Sequence, residues 1–256
     1  MGLEEKKLAI VTGAARGIGL ATSKLFLQNN FKVAMVDKDE DELNKINIHN
    51  PNYKTFSFDI SDVDKNSTMI EEIINWGKRI DVLVNNAGIA DFGKIETVNY
   101  NSWRKIMETN LDGSFLTTQN CIKYLRKTKG CIVNIASISG LRASTLRVAY
   151  GTSKAAIIHL TQQQACELGE IGIRVNCISP GPVKTKLAMA VHTQDIIDAY
   201  HDSIPLNRYG TELEIANGIF FLCSDNASFI TGQNLSVDGG FEATGVGLPA
   251  LRKNNV

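Results

Sequence analysis

The chain has 256 residues, 43% hydrophobic and 21% charged, with 27 basic and 27 acidic side chains and a formal net charge of zero. That is enough apolar matter for one extensive core, and the even charge balance gives no reason to expect a nucleic-acid groove or an anionic membrane as partner. The five cysteines form no CxxC pair, which argues against a disulfide framework and a structural zinc site, and no apolar run approaches membrane-spanning length.

Met1 to Lys7 is charged and runs directly into an apolar strand with no signal-peptide pattern, so a cytoplasmic setting is expected. Strands are predicted over Leu8 to Thr12, Lys32 to Asp37, Tyr53 to Asp59, Ile80 to Asn85, Cys131 to Ser137, Arg174 to Ile178 and Asn234 to Asp238. Most are nearly continuous in Val, Ile and Leu, the pattern of strands covered on both faces. Helices are predicted over Gly17 to Gln28, Ser61 to Trp76, Trp103 to Leu125, Tyr150 to Leu168 and Leu213 to Cys223. This alternation implies right-handed crossovers and an α/β fold: one Rossmann-type domain over residues 1–256, with helices on both faces of a parallel sheet. Pro180 to Gly210 is the least regular stretch and reads as a mobile insert after a strand. The tail from Gly239 to Val256 has no periodicity.

Thr12, Gly13, Ala14, Ala15, Arg16, Gly17, Ile18 and Gly19 lie between the first strand and the first helix. Glycines there let the backbone turn sharply and approach a pyrophosphate, and the helix start offers unpaired N–H groups and a favourable dipole. Asp37 ends the second strand, where a carboxylate accepts hydrogen bonds from the adenine-ribose hydroxyls of NAD and repels the 2′-phosphate of NADP. Arg16 and Lys38 pull toward NADP, but the carboxylate favours NAD. Asp37 also reads as a helix N-cap ahead of Glu40.

Tyr150 and Lys154 stand four residues apart on one helical face. Ser137 ends the preceding strand, Asn110 lies inside the helical stretch before it, and Asn85, Asn86, Ala87 and Gly88 end the fourth strand. Together with Gly13-x-x-x-Gly17-x-Gly19, Asp59, Pro180-Gly181 and Thr185, these motifs resemble the short-chain dehydrogenase/reductase family in order and spacing from Leu8 to Gly240. The resemblance implies a seven-stranded parallel sheet and a homotetramer. To this the sequence adds an apolar helix before the last strand, where a sheet edge needs cover.

Oxidising an alcohol requires removal of its hydroxyl proton as well as its hydride. Tyr150 is expected to be the base in oxidation and the acid in reduction, and a neighbouring ammonium, Lys154, is expected to lower its pKa. Ser137 is expected to donate to the substrate oxygen. By resemblance Lys154 also holds the nicotinamide ribose, and Asn110 holds a water that extends a proton relay. Gly13, Arg16, Gly17, Ile18, Gly19 and Asp37 are expected to meet the cofactor, with Asp59, Ile60, Asn86, Ala87 and Gly88. Pro180, Gly181, Val183 and Thr185 are expected to flank the nicotinamide carboxamide. No metal is called for, since the four histidines form no ligand cluster.

Ser139 and Arg147 are candidate substrate contacts, and Arg142 lies in the same loop. If the helix reaches back to Arg147, the i, i+3 relation puts Arg147 and Tyr150 on one face. In the 3-hydroxybutyrate dehydrogenases of this family a basic residue at this offset meets the substrate carboxylate. Ser139 and Ala90 stand where those enzymes place further polar contacts, so the match is partial. The expected activity is hydride exchange between NAD(H) and a secondary alcohol or ketone: a sugar, a polyol or a small hydroxy acid. Two rivals stand beside it. A 3-oxoacyl-[acyl-carrier-protein] reductase using NADPH is opposed by Asp37. A catalytically inactive nucleotide-sensing regulator should lack Tyr150 or Lys154.

Overall fold

Leu8–Thr12 forms the first strand, β1, and every one of its residues is buried. Successive side chains of a strand point to opposite faces, so β1 seeds two cores. Leu8 and Ile10 join a cluster with Met69, Ile70, Ile73 and Leu125, whereas Ala9 and Val11 join one with Phe26, Ile215 and Ile219. The protein is described here by a computed structural model covering residues 6–245.

The further strands are β2 (Lys32–Asp37), β3 (Tyr53–Ser57), β4 (Val82–Asn85), β5 (Cys131–Ile135), β6 (Arg174–Pro180) and β7 (Asn234–Val237). They pair in the order β3-β2-β1-β4-β5-β6-β7, parallel throughout. Helices α1 (Gly17–Gln28) and α9 (Glu212–Cys223) contribute to the core on one face. Helices α3 (Val63–Gly77), α5 (Gly113–Thr128) and α6 (Val148–Gly169) contribute to the other. The chain moves outward from β1 to β3, then returns to place β4 on the opposite side of β1. Such a reversal opens a crevice beyond the carboxyl ends of the strands.

Several boundaries differ from the sequence expectation. β3 stops at Ser57 rather than Asp59, and β5 stops at Ile135 rather than Ser137. In each case one more backbone bond, Phe58 N to Asp37 O and Ala136 N to Ile178 O, follows the last paired residue. A short helix α2 (Glu40–Asn44) follows β2 where a cap ahead of Glu40 was read, but the cap is Asp39, which accepts from the Glu42 N–H. The single helix expected over Trp103 to Leu125 is α4 (Tyr100–Met107), a π-helical turn (Glu108–Asp112) and α5. Pro180 to Gly210 is not irregular: it contains α7 (Lys186–Val191) and α8 (Gln194–Ser203). Its two ends are joined by a bridge between Val183 and Gly210. No α8 residue is buried. The tail beyond Gly245 lies outside the described residues. Among the described residues no helix is long and apolar enough to cross a membrane.

Candidate active site

The loop after β1 ends at an uncapped helix. Arg16 occupies the N-cap of α1 without a side-chain hydrogen bond to the helix backbone, and the first turn carries no acid. The first N–H groups of α1 are therefore left for an external anion. Gly17 has φ +59, and a Cβ there would have Glu212 Oε1 at 3.8 Å as its nearest neighbour, so the loop is open on this side. Gly13 and Gly19 are needed for closeness instead. A Cβ on Gly13 would lie 2.8 Å from Ala87 Cα, and one on Gly19 would overlap the Gly13 carbonyl oxygen.

Thr12, quoted in the motif but not singled out as functional, braces this loop. Its hydroxyl accepts from the Asn86 and Ala87 N–H groups, both at 3.0 Å. The Asn86 amide donates to the carbonyls of Thr12 (2.9 Å) and Gly13 (3.1 Å). Asn86 thus ties the end of β4 to the loop after β1.

At the end of β2, the Asp37 carboxylate accepts from Ala15 N and Asp39 N, each at 3.1 Å. Asp37 is not the helix cap; Asp39 takes that role. The two cations expected to favour a 2′-phosphate both have carboxylate partners. Arg16 pairs with Asp39, and Lys38 Nζ lies 3.4 Å from Asp59 Oδ2. Burial would raise the Asp59 carboxyl, but the Ser61 hydroxyl and N–H and the Lys38 ammonium together hold it below its ordinary range. Asp39 is held low chiefly by the Glu42 N–H, with Arg16 adding to it. The Ile60 side chain packs in the core, where a Cβ on Gly113 would strike it at 2.8 Å.

Ser137, Tyr150 and Lys154 come together beyond β5. Ser137 follows the strand and caps a 3-10 turn, accepting from Ser139 N at 3.1 Å. It also acts on the Tyr150 phenol, favouring the phenolate against burial. Lys154 is 4% exposed and donates to the Ile135 carbonyl at 2.7 Å. Burial brings the Lys154 ammonium down to about 8. The expected depression of Tyr150 by Lys154 is not found. Burial raises the phenol, and the groups that oppose this are Ser137 and Arg147. The Lys154 ammonium sits 5.8 Å from the ring centroid and is directed at Ile135.

Asn110 lies in the π-helical turn and is 1% exposed. Its Oδ1 accepts from Ile89 N at 2.8 Å, and its Nδ2 donates to Ile89 O and to Ser153 Oγ, both at 2.9 Å. Ser153 in turn donates to the Tyr150 carbonyl at 2.7 Å. The side chain therefore clamps the segment after β4 to α6. A Cβ on Gly88 would lie 3.2 Å from Asn110 Oδ1 and 3.4 Å from Lys154 Nζ, so these three residues converge.

Arg147 is the N-cap residue of α6, at φ −119 and ψ 28, and so lies just outside the helix. It still reaches Tyr150. Its guanidinium carbon is 3.6 Å from the Phe92 ring centroid and 5.4 Å from that of Tyr150. Among the described residues no carboxylate is in ion-pair contact with it, but its charge reaches Asp91 and helps hold that carboxyl low. Phe92 was not anticipated, because only the fold brings the loop after β4 beside the start of α6. Arg142 points away from this centre and donates to the carbonyls of Glu242 and Thr244. Ser139 shares a hydrogen bond with Ser144 at 3.0 Å.

On the far wall, Pro180 ends β6 and Gly181 lies against Asp238, where a Cβ would sit 2.7 Å from Asp238 Cα. Thr185 caps α7 through Ala188 N at 3.1 Å. His192 bonds the Tyr209 hydroxyl at 2.9 Å and stacks on Tyr200, binding the insert together. No group of His, Cys, Asp or Glu suited to a metal occurs among the described residues.

This arrangement has many counterparts among known proteins. A family model described as Enoyl-(Acyl carrier protein) reductase matches residues 13–242. Meso-2,3-butanediol dehydrogenase of Serratia marcescens is 34% identical over 242 residues, covering 94% of this chain and 96% of the relative. A 3-oxoacyl-[acyl-carrier-protein] reductase of Chlamydia trachomatis serovar D is 35% identical over 245 residues, covering 93% and 98%. The solved structure of ElxO with NADP bound superposes with a TM-score of 0.88 at 31% identity, covering 93% of this chain and 100% of that one. That of 4-hydroxyisoleucine dehydrogenase complexed with NADH gives 0.87 at 33%, covering 94% and 100%. The chain belongs to the short-chain dehydrogenase/reductase family, oxidoreductases that use a nicotinamide dinucleotide to interconvert secondary alcohols and ketones.

Proposed function

We propose that the protein is an NAD(H)-dependent dehydrogenase of a small secondary alcohol, working in the cytoplasm as a homotetramer. The observation that carries the reaction is the meeting of Ser137, Tyr150 and Lys154 at the crevice. When an alcohol is oxidised, Tyr150 takes its hydroxyl proton; in reduction it returns one. Ser137 donates to the substrate oxygen as negative charge grows there. Lys154 and the Asn110 clamp hold the start of α6, and Lys154 would meet the nicotinamide ribose. The bound dinucleotide supplies the site that accepts or gives the hydride.

NAD in preference to NADP is supported by the carboxylate of Asp37 and by the pairing of Arg16 and Lys38 with other acids. Gly13, Arg16, Gly17, Ile18 and Gly19 would cradle the pyrophosphate on the uncapped start of α1. Asp37 would accept from the ribose hydroxyls. Asp59 and the Ile60 backbone, with Asn86, Ala87 and Gly88, would line the adenosine side. Pro180, Gly181, Val183 and Thr185 would line the nicotinamide side. Tyr150→Phe tests the reading, because the ring still packs but no proton is exchanged. Turnover of an accepted alcohol should fall by about 10²–10⁴-fold while the Kd for NAD stays close to wild type. Wild-type turnover in this variant would remove Tyr150 from its role.

Arg147 favours a more specific reading, in which the alcohol carries a carboxylate or a phosphate. A guanidinium stacked on Phe92 beside the Tyr150 phenol, with Asp91 acting on it only at longer range, suits a charge-assisted bond to an anionic substrate. Ser139 would be a second contact. The Serratia relative is named for a neutral diol, so the comparison of anionic and neutral alcohols separates the two readings.

A further inference from the structure

The segment from Gly239 to Thr244, after β7, touches both the α7–α8 insert and the loop after β5. The Asp238 carboxylate turns it, accepting from Gly240 N at 2.9 Å and Glu242 N at 2.6 Å. The Thr244 hydroxyl donates to the Gly240 carbonyl at 2.8 Å. On one side the segment lies on the insert. Gly239 O accepts from Leu206 N at 3.1 Å. A Cβ on Gly239 would lie 2.7 Å from Ile204 Cγ2, and one on Gly240 would lie 2.9 Å from Pro205 Cγ. The rings of Phe241 and of Tyr200 in α8 meet edge to face with centroids 6.0 Å apart. Tyr200 in turn stacks on His192, just past the end of α7.

On the other side the segment is held by Arg142, from the loop between Ser137 and Arg147. The guanidinium donates through Nη1 to the Thr244 carbonyl at 2.9 Å and through Nη2 to the Glu242 carbonyl. One rigid fork thus grips two carbonyls, which a single ammonium could not do in the same way. Arg142 is itself fastened to the turn that follows Ser137, since its N–H donates to the Ile138 carbonyl at 2.9 Å. Further along the same loop, Ser139 and Ser144 share their hydrogen bond. The insert also comes near the end of this loop: His192 is held low first by burial and then by the charge of Arg147.

We propose that Arg142 is a positioning residue: through the strap of Phe241 to Thr244 it latches the α7–α8 insert to the loop after β5, and so fixes the wall against which the alcohol binds. The part played by the alcohol rests on the dehydrogenase reading above; the latch itself does not. An insert and a loop held only by their own ends move separately, and ordering them when substrate arrives costs affinity. Two charge-assisted hydrogen bonds from one planar group do part of that ordering beforehand. The phosphate loop and Asp37 belong to other elements, so the grip on the dinucleotide is independent of the latch.

Hydrogen exchange of the full chain with NAD present, read by mass spectrometry, tests the latch without any alcohol. In Arg142→Met the amides of residues 194–203 and 239–244 should exchange faster together, by roughly 3- to 10-fold for bonds lost at an exposed site, while residues 13–28 keep their rate. Arg142→Lys, which keeps the charge and one donor, should restore part of the protection. Phe241→Ala cuts the strap from Tyr200 and should free α8 to the same extent, and adding Arg142→Met to it should change α8 no further. In steady-state kinetics, with meso-2,3-butanediol as the first probe, Arg142→Met should raise KM by a similar factor while kcat and the Kd for NAD stay close to wild type. An α8 that exchanges at the unsubstituted rate in Arg142→Met would overturn the proposal. So would additive effects in the double variant, or an unchanged KM beside a loosened strap. Failure to turn over any alcohol, with the exchange results as expected, would count against the dehydrogenase reading and leave the latch standing.

Discussion

Replacing Arg147 by Met keeps the length of the side chain and removes its charge. The guanidinium is stacked 3.6 Å from the Phe92 centroid and lies 5.4 Å from the Tyr150 centroid, so its position is set before substrate arrives. A hydrogen bond to a charged group contributes about 1.5–3 kcal/mol. At 1.36 kcal/mol per tenfold, kcat/KM for a hydroxy acid should fall roughly 10- to 150-fold, mostly through KM. A neutral alcohol of equal size should change less than about threefold, the lost stacking being a surface-level effect. The pH profile gives an independent readout. The Arg147 charge favours phenolate at Tyr150, so removing it raises the phenol pKa further, and the rise of the oxidation rate with pH should move to higher pH. The assay is steady-state kinetics on an anionic and a neutral alcohol, each across a pH series. Equal losses on both substrates with an unmoved pH limb would refute the assignment.

Further outcomes follow from the same geometry. Asp37→Ala should weaken NAD and narrow its margin over NADP. Adding Asp39→Asn, which keeps the α2 cap but removes the partner of Arg16, should tighten NADP further. Titration calorimetry reads both, and identical NADP affinities in the single and double variants would show that Arg16 plays no part. Asn110→Ala leaves the Ile89 N–H without its acceptor, a loss of about 1–3 kcal/mol. At roughly 2–4 °C per kcal/mol for a chain of this size, Tm should fall by about 2–12 °C, and calorimetry showing no change would contradict the clamp. Light scattering at micromolar concentration should report four chains; a monomer would refute the tetramer.

The glycine-rich loop, the spacing of Tyr150 and Lys154 and the strand–helix alternation were legible in the sequence because each rests on a short-range constraint. Gly17 needs a positive φ within its own turn, Tyr150 and Lys154 share a helical face by spacing alone, and buried parallel strands announce themselves as apolar runs. The parallel sheet read from the alternation, and the seven strands that the family resemblance also implied, were found as expected. Charges and close packing between distant segments were not legible. Nothing local indicates that Arg16 joins Asp39, that Lys38 joins Asp59, or that Asp37 leaves helix capping to its neighbour. Arg147 meets Phe92 only because crossovers bring the loops after β4 and β5 together. Arg142 and Glu242, 100 residues apart, meet because the segment after β7 returns beside the loop after β5. The sequence determined which chemistry the chain carries, through backbone needs and periodicities that act over a few residues. The tertiary structure alone decided which charges stay free and which side chains touch, since those depend on how the crossovers stack segments remote in the chain.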